Sequence, residues 1–411
     1  MRVLLSTIGT RGDVQPVVSL ATELRALGQD VRICAPPDFR DWIEGLAIPF
    51  VPIGPELRRT ASPGPAAAHG RPSAERMRQL AEGTVAAQFA TVPQAARDCD
   101  VIVAGGALQL AARSVAQTLG IGYVYASYCP ISLPSRHHAP PPLASLGQSP
   151  EPGTADFRRL WAEDARHWDD TFGAALNAHR AAAGLEPVTD VRGHVFTDRP
   201  WLAADPVLGP WPEPADPDVV QTGAWILPDR RPLSPELTAF LAGGEPPVYV
   251  GFGSSRAPHD LARTAIAAVR ALGRRVVVSR GWAELSLVDG EPDCLSIGEV
   301  NQQALFPRVA AVVHHGGAGT TTAAGRAGAP QVVLPQAYDQ HYWAGRVQSL
   351  GIGSAHPPVE PTVDSLTAAL RTALHPAVAA RARIVAAGVR TDGAGVAVHR
   401  LLAARSRPAA P

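Results

Sequence analysis

Residues 312–322, VVHHGGAGTTT, constrain this chain more than any other stretch. An apolar run ends in His314 and His315, and Gly316, Gly317 and Gly319 follow within four positions. Three threonines come next, then a run rich in the helix formers Ala323, Ala324, Arg326 and Ala327. The order predicts a buried strand, a glycine-rich turn and a helix. Such a junction aims free backbone N–H groups and the positive end of a helix at one point, which suits a phosphate group. The glycines let the backbone approach closely, and the histidine and threonine side chains add donors. Any single glycine or histidine here reads equally well as a tight turn beside core histidines; the cluster as a whole carries the ligand-binding reading. A second polar cluster, QAYDQ at 336–340, lies just downstream.

The same plan opens the chain. An apolar run at 3–6 leads into GTRGDVQP at 9–16. Val17, Leu20, Ala21, Leu24 and Leu27 then recur at helical spacing up to Gly28. Further strands are expected at 31–34, 49–53, 101–104 and 123–126, with helices at 74–97, 108–119 and 156–182. Prolines crowd 205–235, too many for a helix or a central strand, so a semi-rigid linker is expected there. Beyond it the alternation restarts: a strand at 247–252 ending in GFGSS, a helix at 261–272, and a strand at 276–279 ending in Arg280, Gly281 and Trp282. Strands at 294–297 and 331–334 flank the central motif, and a helix starts near Gln340. Strands separated by helices mean βαβ units and parallel sheets. Two such halves predict an α/β protein of two Rossmann-like domains facing across a cleft: 1–205, then a linker at 206–235, then 236–411. Ligands in sheets of this kind bind beyond the carboxyl ends of the strands.

Composition removes several classes. The 37 basic and 37 acidic residues balance, so nothing argues for nucleic acid or an anionic membrane as partner. All the basic residues are arginine, which excludes a Schiff-base lysine and a Walker-type phosphate loop. Cys34, Cys99, Cys129 and Cys294 are scattered, as reduced thiols of a cytoplasmic protein would be. The apolar start is interrupted by Gly9, Arg11, Gly12 and Asp13 too early for a signal sequence, and no apolar run reaches membrane-spanning length.

Two segments, 54–72 and 129–153, are rich in Pro, Gly, Ser and Ala and lack periodicity, which suits mobile walls of a binding cleft. The second holds His137 and His138 among prolines, without the acidic or cysteine partners a metal site needs. Asp216 and Asp218 have a spacing that serves a divalent cation in some sugar-nucleotide enzymes, but a proline separates them in the linker and they read better as turn residues. No metal site is assigned.

GTRGDVQP, the linker phrase VQTGAWILPDRRPLSPEL, GFGS, SRGWAEL, EVNQQALF, HHGGAGT and the DQ pair together resemble a known family across nearly the whole chain. These are the GT-B glycosyltransferases, and among them those that tailor vancomycin- and teicoplanin-type glycopeptide antibiotics. GTRGDVQP alone fits sterol glucosyltransferases as well. The resemblance implies a TDP- or UDP-sugar as donor, a glycopeptide aglycone or partly glycosylated aglycone as acceptor, and no separate cofactor. On this pattern Asp13 is the general base, with the helix-capping role of an aspartate before a helical run as the other reading. Thr10 positions Asp13 or bonds the acceptor, and Arg11 reaches the phosphates. His315, Gly317, Gly319 and Thr320 hold the diphosphate with Ser254 beside them, and Asp339 and Gln340 read sugar hydroxyls. Val300 borders the nucleobase. The wider superfamily often has a tryptophan just before that valine; here Glu299 stands there, leaving Trp282 as a stacking surface or, alternatively, a core anchor.

The expected reaction is inverting transfer without a metal. Two other classes share the fold: a sugar-nucleotide epimerase, which needs no large acceptor pocket, and a non-catalytic partner, which has no need of an intact base and phosphate cluster. A dinucleotide oxidoreductase fits less well, since neither GFGSSR nor GTRGD completes G-x-G-x-x-G.

Overall fold

The computed structural model describes residues 1–58, 74–141, 156–212, 218–287 and 289–405. Most of the two segments expected to wall the cleft, 59–73 and 142–155, lies outside the described residues, as does Asp216.

Two parallel sheets organise the chain. The first runs β3-β2-β1-β4-β5-β6-β7, from β1 (Arg2–Thr7), β2 (Asp30–Ala35), β3 (Phe50–Pro52), β4 (Val101–Gly105), β5 (Gly122–Ser127), β6 (Trp201–Leu202) and β7 (Val220–Gln221). The second runs β10-β9-β8-β11-β12-β13, from β8 (Val248–Gly251), β9 (Val276–Ser279), β10 (Cys294–Ile297), β11 (Ala311–His314), β12 (Gln331–Val333) and β13 (Gly353–Ala355). Every ladder is parallel, with Val3 opposite Val31 and Val101, and Val312 opposite Tyr249 and Gln331. The central strands are buried on both faces, which is why they read as unbroken apolar runs. In each sheet the strand order reverses beside its first strand, between β1 and β4 and between β8 and β11. A crevice opens at such points.

The first helix, Arg11–Ala26, begins inside the GTRGDVQP phrase and buries Val14, Val17, Val18, Leu20, Ala21 and Leu24 against the first sheet. Gly28, with φ 71°, follows its end.

Two features differ from the sequence expectation. The proline-rich stretch contributes strand β7 through a short proline-free gap, and Trp225 beyond it packs into the first core. The last helix, Gly393–Arg405, returns to the first half, where Ala394, Ala397, Val398 and Leu401 join the core under the first helix. The chain therefore crosses between halves twice, and the crossings touch: a Cβ on Gly393 would lie 2.4 Å from the carbonyl carbon of Gly223. A further apolar cluster spans both halves, joining Tyr125, Trp168 and Leu208 to Trp343, Val347 and Val385. All four cysteines are free, and among the described residues no helix is long and apolar enough to cross a membrane.

Candidate active site

The turn after β1 places Asp13 at the third position of the first helix. The Thr10 backbone N–H donates to its Oδ2 at 2.9 Å, so the capping function read from the sequence is present. Its other oxygen faces the turn after β4, where a Cβ on Gly106 would lie 3.3 Å from Oδ1. Burial first, and then the charge of Asp339 from the opposite half, push the Asp13 carboxyl up to about 7. A carboxylate so tuned is half-ionised near neutral pH, where it both holds and releases a proton readily.

Across the cleft, β11 delivers the two histidines into different roles. His314 is fully buried; its Nδ1 accepts from the Gly316 N–H at 3.1 Å and its ring pairs through Nε2 with Gln331 Oε1 at 2.9 Å. This histidine shapes the turn. His315 has a buried Nδ1 without a hydrogen-bond partner, and a Cβ on Gly317 would lie 2.5 Å from its Nε2. Burial lowers its pKa to about 4, so the imidazole is neutral and offers one N–H. Gly316, at φ 94°, makes the turn; Gly317 caps the helix Ala318–Ala327. Thr321 N–H is the first of its amides to bond back, to the Gly317 carbonyl at 3.0 Å. The N–H groups of Ala318, Gly319 and Thr320 therefore point off the helix end. Among the described residues, no atom outside the helix's own backbone lies within 4 Å of where a Cβ on Gly319 would stand. Protein packing does not require a glycine there.

The QAYDQ segment abuts this turn, since a Cβ on Gly316 would lie 3.0 Å from the Gln340 carbonyl oxygen. Gln340 Oε1 accepts from the Gln336 N–H at 2.7 Å and the Ala337 N–H at 3.3 Å, which leaves its amide N–H₂ as the outward donor. Asp339 Oδ2 accepts from the Trp343 indole at 3.0 Å, and burial raises its carboxyl to about 6. Between them Tyr338, at φ 54°, donates to Ser132 of the first half at 3.1 Å. Asp13, Thr10, Asp339 and the helix N-terminus are thus gathered around one cleft.

Arg11, Val300, Trp282 and Ser254 occupy its other end. Arg11 donates to Glu299 Oε1 at 2.9 Å and lies 3.7 Å over the Trp42 ring. Here the guanidinium spans the two halves and is not directed at the phosphate-type turn. Trp282 stacks on Phe39 of the first half, with centroids 5.9 Å apart and planes 27° from parallel. One ring face rests on that contact, and the side chain is partly buried against the first core. The turns after β8 and β9 are bolted together, Trp282 N–H donating to the Gly253 carbonyl at 2.8 Å, with Ser254 next in line. Val300 is partly buried just ahead of Asn301, which caps the short helix Gln302–Leu305.

His138 lies edge-on to Trp161 and Trp211, and burial lowers its pKa to about 4. Among the described residues no group of three or more His, Cys, Asp or Glu is placed to hold a metal ion. Sequence reasoning passed over Tyr128, Gly105 and Gly106, which surround Asp13; the paired glycines ending a predicted strand were the available signal.

Residues 3–126 match the glycosyltransferase family 28 N-terminal domain, and residues 263–398 match the erythromycin biosynthesis protein CIII-like C-terminal domain. Glycosyltransferase GtfE of Amycolatopsis orientalis is 54% identical over 416 residues, covering 100% of both chains. The vancomycin aglycone glucosyltransferase of the same organism is 53% identical, covering 99% of this chain and 98% of that protein. The solved glycotransferase of kitacinnamycin shares the fold with TM-score 0.72 at 22% identity, covering 99% of each chain. Full-length identity at this level, together with two facing parallel-sheet domains, places the chain in the GT-B glycosyltransferases, within the vancomycin-type glycopeptide family.

Proposed function

We propose that this enzyme transfers a sugar, with inversion, from a TDP- or UDP-sugar to a hydroxyl of a glycopeptide aglycone or pseudoaglycone. The observation that carries the reading is Asp13 lying within charge reach of Asp339, in the segment that abuts the Gly316 turn, with its carboxyl raised to about 7. Asp13 takes the proton of the acceptor hydroxyl as the oxygen attacks the anomeric carbon. The bond to the diphosphate breaks on the opposite face, so the configuration inverts. The leaving anion meets the free N–H groups of Ala318, Gly319 and Thr320 and the neutral His315, an arrangement that stabilises developing charge with neutral donors and calls for no cation in the step. Asp339 and the Gln340 amide hold sugar hydroxyls. The half up to about residue 205 grips the acceptor and the half from about 236 the donor.

The test is turnover followed by mass spectrometry, with EDTA present, offering wild type and Asp13→Asn a panel of UDP- and TDP-sugars and glycopeptide aglycones. A single-sugar mass gain from wild type, largely lost in the variant, with the anomeric configuration inverted by NMR, supports the reading. Isomerisation of a sugar nucleotide without transfer to any acceptor would hand the site to an epimerase.

A further inference from the structure

Tyr128 takes no part in the reaction as described so far, yet its hydroxyl is buried beside Thr7 and makes no hydrogen bond of normal geometry among the described residues. It follows directly on β5, at the carboxyl end of the sheet where the cleft opens. Two glycines fix where it points. A Cβ on Gly105 would lie 2.1 Å from the Tyr128 hydroxyl, and one on the next residue, Gly106, would lie 3.3 Å from Asp13 Oδ1 and 4.0 Å from Thr7 Oγ1. Three side-chain oxygens thus converge on one turn that carries no side chain of its own. Behind, the tyrosine ring meets Trp225 edge-on at 6.2 Å, and the Trp225 indole donates to Thr222 Oγ1 at 3.0 Å. The crossing segment between the halves therefore holds the ring, and the ring presents its hydroxyl toward the base. Packing alone gives a phenylalanine as good a fit here, and leaves a buried O–H unexplained.

We propose that Tyr128 is a positioning residue for Asp13, its hydroxyl donating to Oδ1 when the acceptor is bound. Oδ2 is already held by the Thr10 N–H. A carboxylate oxygen accepts two hydrogen bonds, so Oδ1 takes one from Tyr128 and keeps the other lone pair for the acceptor proton. The tyrosine keeps its own proton throughout, burial having raised the phenol well above its ordinary value. Its bond favours the ionised, base-competent form of Asp13 and sets the carboxylate plane against the acceptor. This inference rests on Asp13 being the base.

The groups facing Asp13 are Asp339 from the second half and Tyr125, Tyr128 and Tyr338 around it. Of these Asp339 alone titrates in a similar range, so pH profiles are read both with Asp339 and with Asp339→Asn. Tyr128→Phe is expected to lower kcat roughly tenfold, leave donor KM unchanged, and move the acid limb of kcat/KM to higher pH. In the Asp13→Asn background the same substitution should cost almost nothing more, because the base that it positions is gone. Because the hydroxyl has no more than a poorly aligned contact with Thr7 in the free enzyme, Tyr128→Phe should melt close to wild type. An unmoved acid limb, an equal loss in both backgrounds, or a lowered melting temperature would each overturn the inference while leaving Asp13 as base. Full activity of Asp13→Asn would instead overturn the assignment on which it rests.

Discussion

The Asp13 carboxylate fills the space that a side chain at position 9 would need: a Cβ on Gly9 would lie 2.1 Å from Asp13 Oδ2 and 2.8 Å from its Cβ. Gly9 is not in the left-handed region, so its constraint is room rather than backbone angle. Gly9→Ala is therefore expected to push Asp13 off the Thr10 N–H and out of line with the acceptor. Its kcat should fall toward that of Asp13→Asn, a loss of about 10²–10⁴-fold for a displaced general base. Binding of the free nucleoside diphosphate, measured calorimetrically, should be unchanged, because the second half is untouched. A variant that loses diphosphate affinity but keeps kcat would contradict this geometry.

Asp13 also predicts opposite pH slopes for activity and stability. Transfer needs the ionised carboxylate, so kcat/KM should rise with pH through about 7, the value to which burial lifts the group. Stability runs the other way. Between the ordinary value of 3.8 and about 7, the unfolded chain has released a proton that the folded chain still holds. The native state binds more protons in that window, so this group's contribution falls as pH rises and levels off above it. Asp13→Asn keeps an oxygen for the Thr10 N–H and removes the buried charge. It should be more stable than wild type at pH 8, by a few kcal/mol at most at roughly 1.4 kcal/mol per pKa unit, with the difference vanishing near pH 4. Urea unfolding at the two pH values measures it, and a variant no more stable at pH 8 would count against the raised carboxyl.

Gly319 separates ligand demand from folding demand. Among the described residues nothing beyond the helix's own backbone lies within 4 Å of a Cβ there, and its backbone is not left-handed. Alanine is the better helix former by up to about 1 kcal/mol. Gly319→Ala should melt at or slightly above the wild-type temperature. Its donor KM should nevertheless rise by roughly tenfold or more, because the methyl group stands where the diphosphate approaches the helix end. An unchanged donor KM would remove Gly319 from the phosphate site.

The strands that build the two sheets were legible because parallel strands buried on both faces leave unbroken apolar runs. β6 and β7 have two residues each, too few to leave a periodic signal, and β13 reads Gly-Ser-Ala, which is no apolar run. The prolines around β7 pointed to a linker, and only the gap holding Val220 and Gln221 is free to pair. The apolar stripe of Gly393–Arg405 announces a buried face without saying which half it packs against. Around the cleft, local placement was readable: Asp13 in the turn after the first strand, His315 to Thr320 at a strand–helix junction. Residues that matter only through distant partners were not. Trp282 looks like a free stacking surface until Phe39 is brought to it, and Tyr128 acquires a neighbour in Asp13 only through the strand order β1-β4-β5.

Glu299, standing where relatives in the wider superfamily carry a tryptophan, makes a contact that can be weighed. Its Oε1 accepts from Arg11 at 2.9 Å and from Arg231 at 3.3 Å, and Arg231 in turn pairs with Asp229 at 2.6 Å. The Glu299 side chain is 59% exposed and that of Arg11 29%, so solvent screens the pair. Exposed pairs of this kind couple by about 0.2–1 kcal/mol. Arg11 has a second attachment, the Trp42 ring 3.7 Å beneath its guanidinium, worth about 0.5–1 kcal/mol at an exposed site. Arg11→Ala should therefore destabilise more than Glu299→Gln, and a double-mutant cycle by urea unfolding should find a coupling below about 1 kcal/mol. At 1 M salt, where the screening length is about 3 Å, the coupling should shrink toward zero while the excess cost of Arg11→Ala persists. Equal losses from the two single variants would mean that Trp42 contributes nothing to holding Arg11.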